Sequence, residues 1–112
     1  MPAATEQDNP RELDQNLSAV AFVGKSLSDE NRLRILLSLV DGKKTVSSIV
    51  EEMNLSQPLV SHHLKELRRC LLVNVERKGL FVYYEIADRR IINIVSQLAH
   101  LATDLLSKRD TF

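Results

Sequence analysis

At 112 residues, with 44% apolar and 27% charged side chains, the chain has the size and composition of one soluble domain. Fifteen cations balance fifteen carboxylates, and no apolar run approaches the roughly 20 residues of a membrane-spanning helix. A lone cysteine excludes an intramolecular disulfide and, with an opening (Met1-Pro2-Ala3-Ala4-Thr5-Glu6) that lacks a basic and apolar leader, fits a reducing cytoplasm. The zero net charge is segregated along the chain: residues 1–30 set six carboxylates against two cations, and residues 56–90 set seven cations against four carboxylates. A basic second half keeps nucleic acid open as a partner.

Residues 1–10 are polar, carry two of the three prolines, and read as a mobile tail ahead of one domain over 11–108. A first helix is predicted from Glu12 to Ser26, with a stripe of Leu13, Leu17, Val20, Gly24 and Leu27 and an opposite side holding Phe22, Ala19 and Val23. A helix apolar on two sides is buried on two sides, and in so small a protein the second side implies a partner subunit. Ser28-Asp29-Glu30 opens a second helix with a cap and two early acids, Leu33, Leu36, Leu37 and Val40 stripe it, and Gly42 stops it. A short third helix runs from Thr45 to Met53, with Ile49, Val50 and Met53 inward. Asn54-Leu55 then turns into the stretch that carries most information.

That stretch begins at Ser56, an N-cap, followed by Pro58 in the first helical turn, where its missing N–H costs nothing. At about 100° per residue, Val60, Leu64, Leu67 and Leu71 form one apolar ridge. The opposite side collects Pro58, Ser61, His62, Lys65 and Arg69, the hydroxyl, imidazole and cationic groups that meet base edges and phosphates. A short helix, a tight turn and a capped cationic helix make a helix-turn-helix. Two β-rich runs, 72–77 and 80–86, flank Lys78-Gly79 and read as a hairpin whose tip carries Arg77 and Lys78, a wing. A last helix from Asp88 to Ser107 bears a broad stripe of Ile91, Ile94, Val95, Leu98, Leu101, Ala102 and Leu105. Its width pairs it with the first helix, through Leu17 and Phe22, in a dimer interface. The predicted fold is mainly α with a small β-hairpin, a winged helix-turn-helix of order α-α-α-α-β-β-α.

Three motifs, Leu27-x-Asp29-x-x-Arg32-Leu33-x-Ile35-Leu36, Ser56-x-x-x-Val60-Ser61-x-His63-Leu64-x-x-Leu67, and Arg77-Lys78-Gly79 followed by Val82-Tyr83-Tyr84, stand in an order that resembles the ArsR/SmtB family of bacterial winged-helix repressors. The resemblance spans residues 12–107. It implies a homodimer on an imperfect palindromic operator in double-stranded DNA, released when a signal, often a metal ion, lowers its affinity. It implies no catalytic residue and no cofactor. One metal site of the family places a Cys-x-Cys pair where this chain has Thr45 and Ser47. Another places its ligands at the positions of Asp88, Arg90, Leu101 and Asp104, so both imidazoles are missing and an arginine stands in a ligand position. Zinc prefers nitrogen and sulfur donors in tetrahedral array, so the ordinary site is read as absent. Arg90 of one subunit and Asp104 of the other are candidates for a charge pair that replaces it.

Within that frame Gln57, Ser61, His62 and Lys65 are the base-reading candidates, Pro58 meets a thymine methyl, and Arg68, Arg69, Arg77 and Lys78 contact phosphates. His63, on the ridge flank, reads as a hydrogen-bonded, half-buried structural histidine, and Cys70 as a small buried hydrophobe, with a redox link to a partner's Cys70 as the sharper alternative. His100 and Asp104 stand one helical turn apart and offer two ligands of a non-standard metal site. Two other readings therefore stay open beside a repressor of unidentified input: a metal sensor using His100 and Asp104, and a protein-interaction module on the same fold. No Ser/His/Asp order, phosphate loop or zincin motif points to an enzyme.

Overall fold

The computed structural model describes residues 9–109. Most of the predicted tail, residues 1–8, lies outside them, while Asn9 is the cap of the first helix and Pro10 its first residue. Asn9 caps α1 (Pro10–Gln15), its Oδ1 accepting from the Arg11 N–H at 2.9 Å, with proline in the first turn. The single helix expected over 12–26 is broken at Asn16. There the side-chain amide donates to the Glu12 carbonyl and the backbone N–H to Leu13, ending α1 before α2 (Leu17–Ser26) begins. An amide side chain that competes for backbone carbonyls ends a helix in this way.

Asp29 caps α3 (Glu30–Ser38), accepting from the Arg32 N–H at 3.0 Å. A 3₁₀ turn, Leu39–Asp41, continues to Gly42, whose φ of +131° is open to glycine alone at little cost. Next comes β1 (Lys44–Thr45), a strand that the sequence reading lacked, and α4 (Val46–Met53), capped by Thr45. Asn54, left-handed at φ +55°, closes α4 and turns the chain into α5 (Gln57–Arg69), capped by Ser56. The wing follows as β2 (Val73–Lys78) and β3 (Phe81–Ile86), and the chain ends in α6 (Arg90–Ser107). α6 starts two residues later than predicted because Asp88 stands outside it, its Oδ1 accepting from the Arg90 N–H at 2.9 Å.

The sheet is antiparallel, in the order β1-β3-β2, so the expected hairpin is one half of a three-stranded sheet. Lys44 and Thr45 pair with Tyr84 and Tyr83, tying the start of α4 to the wing. Tyr84 packs against the core while the Tyr83 ring lies under Lys43 Nζ at 5.5 Å, one tyrosine to each side of the strand.

Ile35, Leu36, Leu39, Ile49, Val60, Leu64, Leu67, Cys70, Leu72 and Val73 form the core, drawn from α3 and the 3₁₀ turn after it, α4, α5 with the segment leaving it, and the start of β2. Val23 and Leu27 of α2 and Ile91 of α6 lean on its edge. Ile91 therefore also serves the subunit's own core. Leu71 departs from the predicted ridge altogether. Its φ is +62° and it is 80% exposed, because the helix stops at Arg69 and the reversed backbone swings the side chain outward. No helix among the described residues is long and apolar enough to cross a membrane.

Candidate nucleic-acid interface

α5 has two faces. Val60, His63, Leu64 and Leu67 are buried, while Gln57, Pro58, Ser61, His62, Lys65, Arg68 and Arg69 are exposed. Every residue that the sequence reading assigned to DNA on this helix is thus presented to solvent, as are Arg77 and Lys78 on the wing. Not all the cations are equally available. Arg69 pairs with Glu66 one turn back at 3.1 Å, and Lys78 lies 3.6 Å from Glu76. Lys65, Arg68 and Arg77 make no ion pair with a described residue. Exposed pairs are worth less than about 1 kcal/mol, so a phosphate can displace either carboxylate.

Glu76 is the charge centre of the wing base. Lys43 reaches it from the loop before β1 at 2.9 Å, and that hydrogen bond holds the Glu76 carboxyl below its ordinary value and Lys43 above its own. A second cross-element pair, Lys44–Glu52 at 2.6 Å, joins β1 to α4. Neither was legible in the sequence, since the partners, 33 and 8 residues apart, lie on different elements and share no periodic signal.

The Leu27-x-Asp29-x-x-Arg32 motif proves to be a staple between α2 and α3. While the Arg32 backbone is capped by Asp29, its Nε donates to the Ser26 carbonyl at 2.7 Å and an Nη to the Lys25 carbonyl at 3.3 Å. The guanidinium thereby satisfies the Ser26 carbonyl at the end of α2 and shares the Lys25 carbonyl with the Ser28 hydroxyl and N–H. The same cap approaches the recognition helix: His63 Nε2 stands 3.9 Å from Asp29 Oδ1. His63 is 4% exposed and neither ring nitrogen has a hydrogen-bond partner among the described residues. It is more deeply buried than predicted and lacks the predicted partner. Burial pushes its imidazole below the ordinary value, against a smaller opposing pull from Asp29. Cys70 is buried at the end of α5 with Sγ 3.8 Å from the Phe22 carbonyl, the packing position expected of it.

The donors for a family metal site do not fit a metal here. Thr45 and Ser47 offer hydroxyls, and Thr45 Oγ1 is already the acceptor that caps α4, from the Ser48 N–H at 3.2 Å. Asp88 is held by Arg90 of the same chain, Nη to Oδ2 at 2.6 Å, a contact that lowers the carboxyl to about 2. The guanidinium that the sequence paired with Asp104 of another subunit thus has an intrachain partner. His100 and Asp104 are exposed on α6, and no group of three or more His, Cys, Asp or Glu converges among the described residues.

α6 has no buried residue along its 18 positions. Ile94, Leu98, Leu101 and Leu105 lie about half exposed with Leu17, Val20 and Phe22 of α2, and Val95 is half-buried. Between the two helices runs an open apolar groove of about 460 Å³ lined by Ala19, Val20, Val23, Gly24, Leu27, Ile94 and Leu98.

Comparison with known proteins agrees with this architecture. The profile of bacterial regulatory proteins of the arsR family matches residues 29–75. The chain is 35% identical over 98 residues to the HTH-type transcriptional repressor SmtB of Mycobacterium tuberculosis, a match covering 87% of this chain and 70% of that repressor. It is 36% identical over 84 residues to the HTH-type transcriptional regulator YdfF of Bacillus subtilis, of which it spans 37%. Its fold is similar to the homodimeric winged helix-turn-helix DNA-binding domain Mb0332 of Mycobacterium bovis, with a TM-score of 0.74 and 26% identity over 100% of this chain and 99% of that one. With its two-faced recognition helix and wing, the chain belongs to the arsR family of bacterial regulatory proteins, DNA-binding transcriptional regulators rather than enzymes.

Proposed function

We propose that the chain acts in the cytoplasm as a homodimer that binds an imperfect palindrome in duplex DNA and represses transcription until a signal lowers its affinity. The observation that carries this reading is the division of α5 into a wholly buried ridge and a wholly exposed face of amide, hydroxyl, imidazole and cation. In the major groove Gln57 pairs with adenine through its amide, Ser61, His62 and Lys65 meet base edges, and Pro58 packs on a thymine methyl. Arg68, Arg69, Arg77 and Lys78 hold phosphates and set the register.

Dimerisation is supported by the uncovered faces of α2 and α6, which leave Leu17, Phe22, Ile94, Val95, Leu98, Leu101 and Leu105 partly or largely in water. A contiguous apolar face of that kind marks an interaction site. The similar Mb0332 domain is homodimeric and SmtB is a repressor. Two copies would present two α5 helices to half-sites about one turn of duplex apart, and the operator would share the protein's twofold symmetry.

The test is fluorescence anisotropy of the whole chain on duplexes from the region upstream of its own gene, across a range of salt. The reading expects tight, salt-dependent binding to one palindrome and far weaker binding to scrambled duplex. Binding that ignores both sequence and salt would overturn it and favour a protein-interaction module.

A further inference from the structure

The wing ends in a residue for which the fold has no use. β2 and β3 stay in register from Val73↔Ile86 to Lys78↔Phe81, which leaves Gly79-Leu80 as a two-residue turn. Gly79 has φ +60° and Leu80 keeps a negative φ, the glycine-first pattern of a type II′ hairpin. That geometry makes no demand for leucine at the second position, where solvated residues are usual. Leu80 is nonetheless 98% exposed, and Phe81 beside it is 59% exposed.

A single exposed leucine is ordinary and needs no explanation. The surroundings of this one narrow its use. Arg77 and Lys78 precede it and both are exposed. The hairpin leaves directly from the end of α5, with β2 starting four residues after Arg69. An apolar tip of two side chains offers too little area for a stable protein interface, which buries far more. A narrow tip with cations at its shoulder instead suits a groove about 6 Å wide, lined by phosphates and floored by sugars and bases.

We propose that Leu80 is a minor-groove wedge. On the DNA-binding reading above, the wing enters the minor groove beside the major-groove segment held by α5. Arg77 and Lys78 meet phosphates on its walls, and Leu80 presses on the deoxyribose rings and the base step at its floor. Lys78 gives up its 3.6 Å contact with Glu76 for a phosphate, and Glu76 keeps Lys43. An apolar wedge partly unstacks the step it meets, at least cost where pyrimidine precedes purine. The wing thereby adds a preference for TA or CA/TG steps flanking each half-site, without a hydrogen bond to any base.

The experiment is selection of duplexes from a randomised pool by the full chain and by L80S, L80M and R77A, followed by salt titration and thermal unfolding of each. L80S is expected to unfold at the wild-type temperature, since the side chain touches nothing. It should lose about ten- to a hundredfold in affinity for the selected site, the worth of burying a leucine, keep the salt slope, and lose the pyrimidine–purine preference. L80M should retain both. R77A should show the reverse pattern, its salt slope reduced by about 1 and its step preference kept. If L80S selects the same sequences with wild-type affinity, the wedge is wrong while the DNA-binding reading stands. If L80S alters the sedimentation mass and leaves DNA affinity intact, the tip is a protein contact and the wedge is equally overturned. If the wild-type chain enriches no sequence, both readings fall together.

Discussion

His63 Nε2 of the recognition helix lies 3.9 Å from Oδ1 of Asp29, the residue that caps α3, and no other charged partner faces it at ion-pair distance among the described residues. The helix proposed to read DNA is thus seated on a buried imidazole next to a carboxylate whose own value is lowered chiefly by the Arg32 N–H. Burial lowers His63 below 6.5, and the nearby positive charge of Arg32 and His62 adds to that, while Asp29 opposes it.

The sign of the resulting pH dependence follows. A histidine harder to protonate folded than unfolded contributes stability that is intact above its ordinary value of 6.5 and lost as pH falls through the folded value below it. Urea midpoints measured at pH 7.5 and pH 5.5 should fall with acid, by at most about 1.4 kcal/mol for each unit of displacement. H63L should flatten that difference. An unchanged slope in H63L would show that another group carries it.

Arg32 ties α2 to α3 through two backbone carbonyls, Ser26 at 2.7 Å and Lys25 at 3.3 Å. Bonds from a charged donor are worth about 1.5–3 kcal/mol. R32A should therefore lower urea stability by about 2 kcal/mol, and R32K should recover only part of it, because an ammonium cannot span both acceptors as a planar fork does.

Leu71 holds φ +62° with its side chain in water. A non-glycine residue in this region costs about 1–2 kcal/mol, and glycine avoids that cost at some entropic expense. L71G should raise stability by about 0.5–1 kcal/mol, seen as a rise of a few degrees in the unfolding midpoint. A drop would mean that Leu71 is packed against another subunit.

Leu98 lines the α2–α6 groove and is half exposed in the single chain. L98E is expected to shift the chain to monomer in sedimentation equilibrium and to weaken DNA binding, since each subunit then grips one half-site alone. A stable dimer of L98E would move the interface elsewhere.

Gln57 and Arg68 stand on the same exposed face of α5 with different chemistry. Q57A should cost about 1–3 kcal/mol on the best site and relax its sequence preference, while R68A should weaken all duplexes alike and reduce the salt slope by about 1.

α5 was legible in the sequence almost in full. Its cap, its first-turn proline and its apolar ridge are local properties, separated by no more than a turn or two of helix, and the cationic face could be read from the same periodicity. The ridge failed only at Leu71, where periodicity continues and the backbone does not. β1 has two residues, too few for any alternation to register, and exists because β3 offers it an edge. Asn16 divides the first helix through a competing side-chain bond that a hydrophobic pattern does not record.

By itself, then, the order of residues determined the helix-turn-helix, the wing and the surplus of apolar surface on the first and last helices, since caps, turns and stripes act over a few neighbouring positions. Only the folded chain decided what Arg32, His63, Lys43 and Ile91 do. Their partners lie on other elements, and whether a polar group finds an acceptor, a carboxylate or nothing depends on which surfaces packing brings within about 3–4 Å.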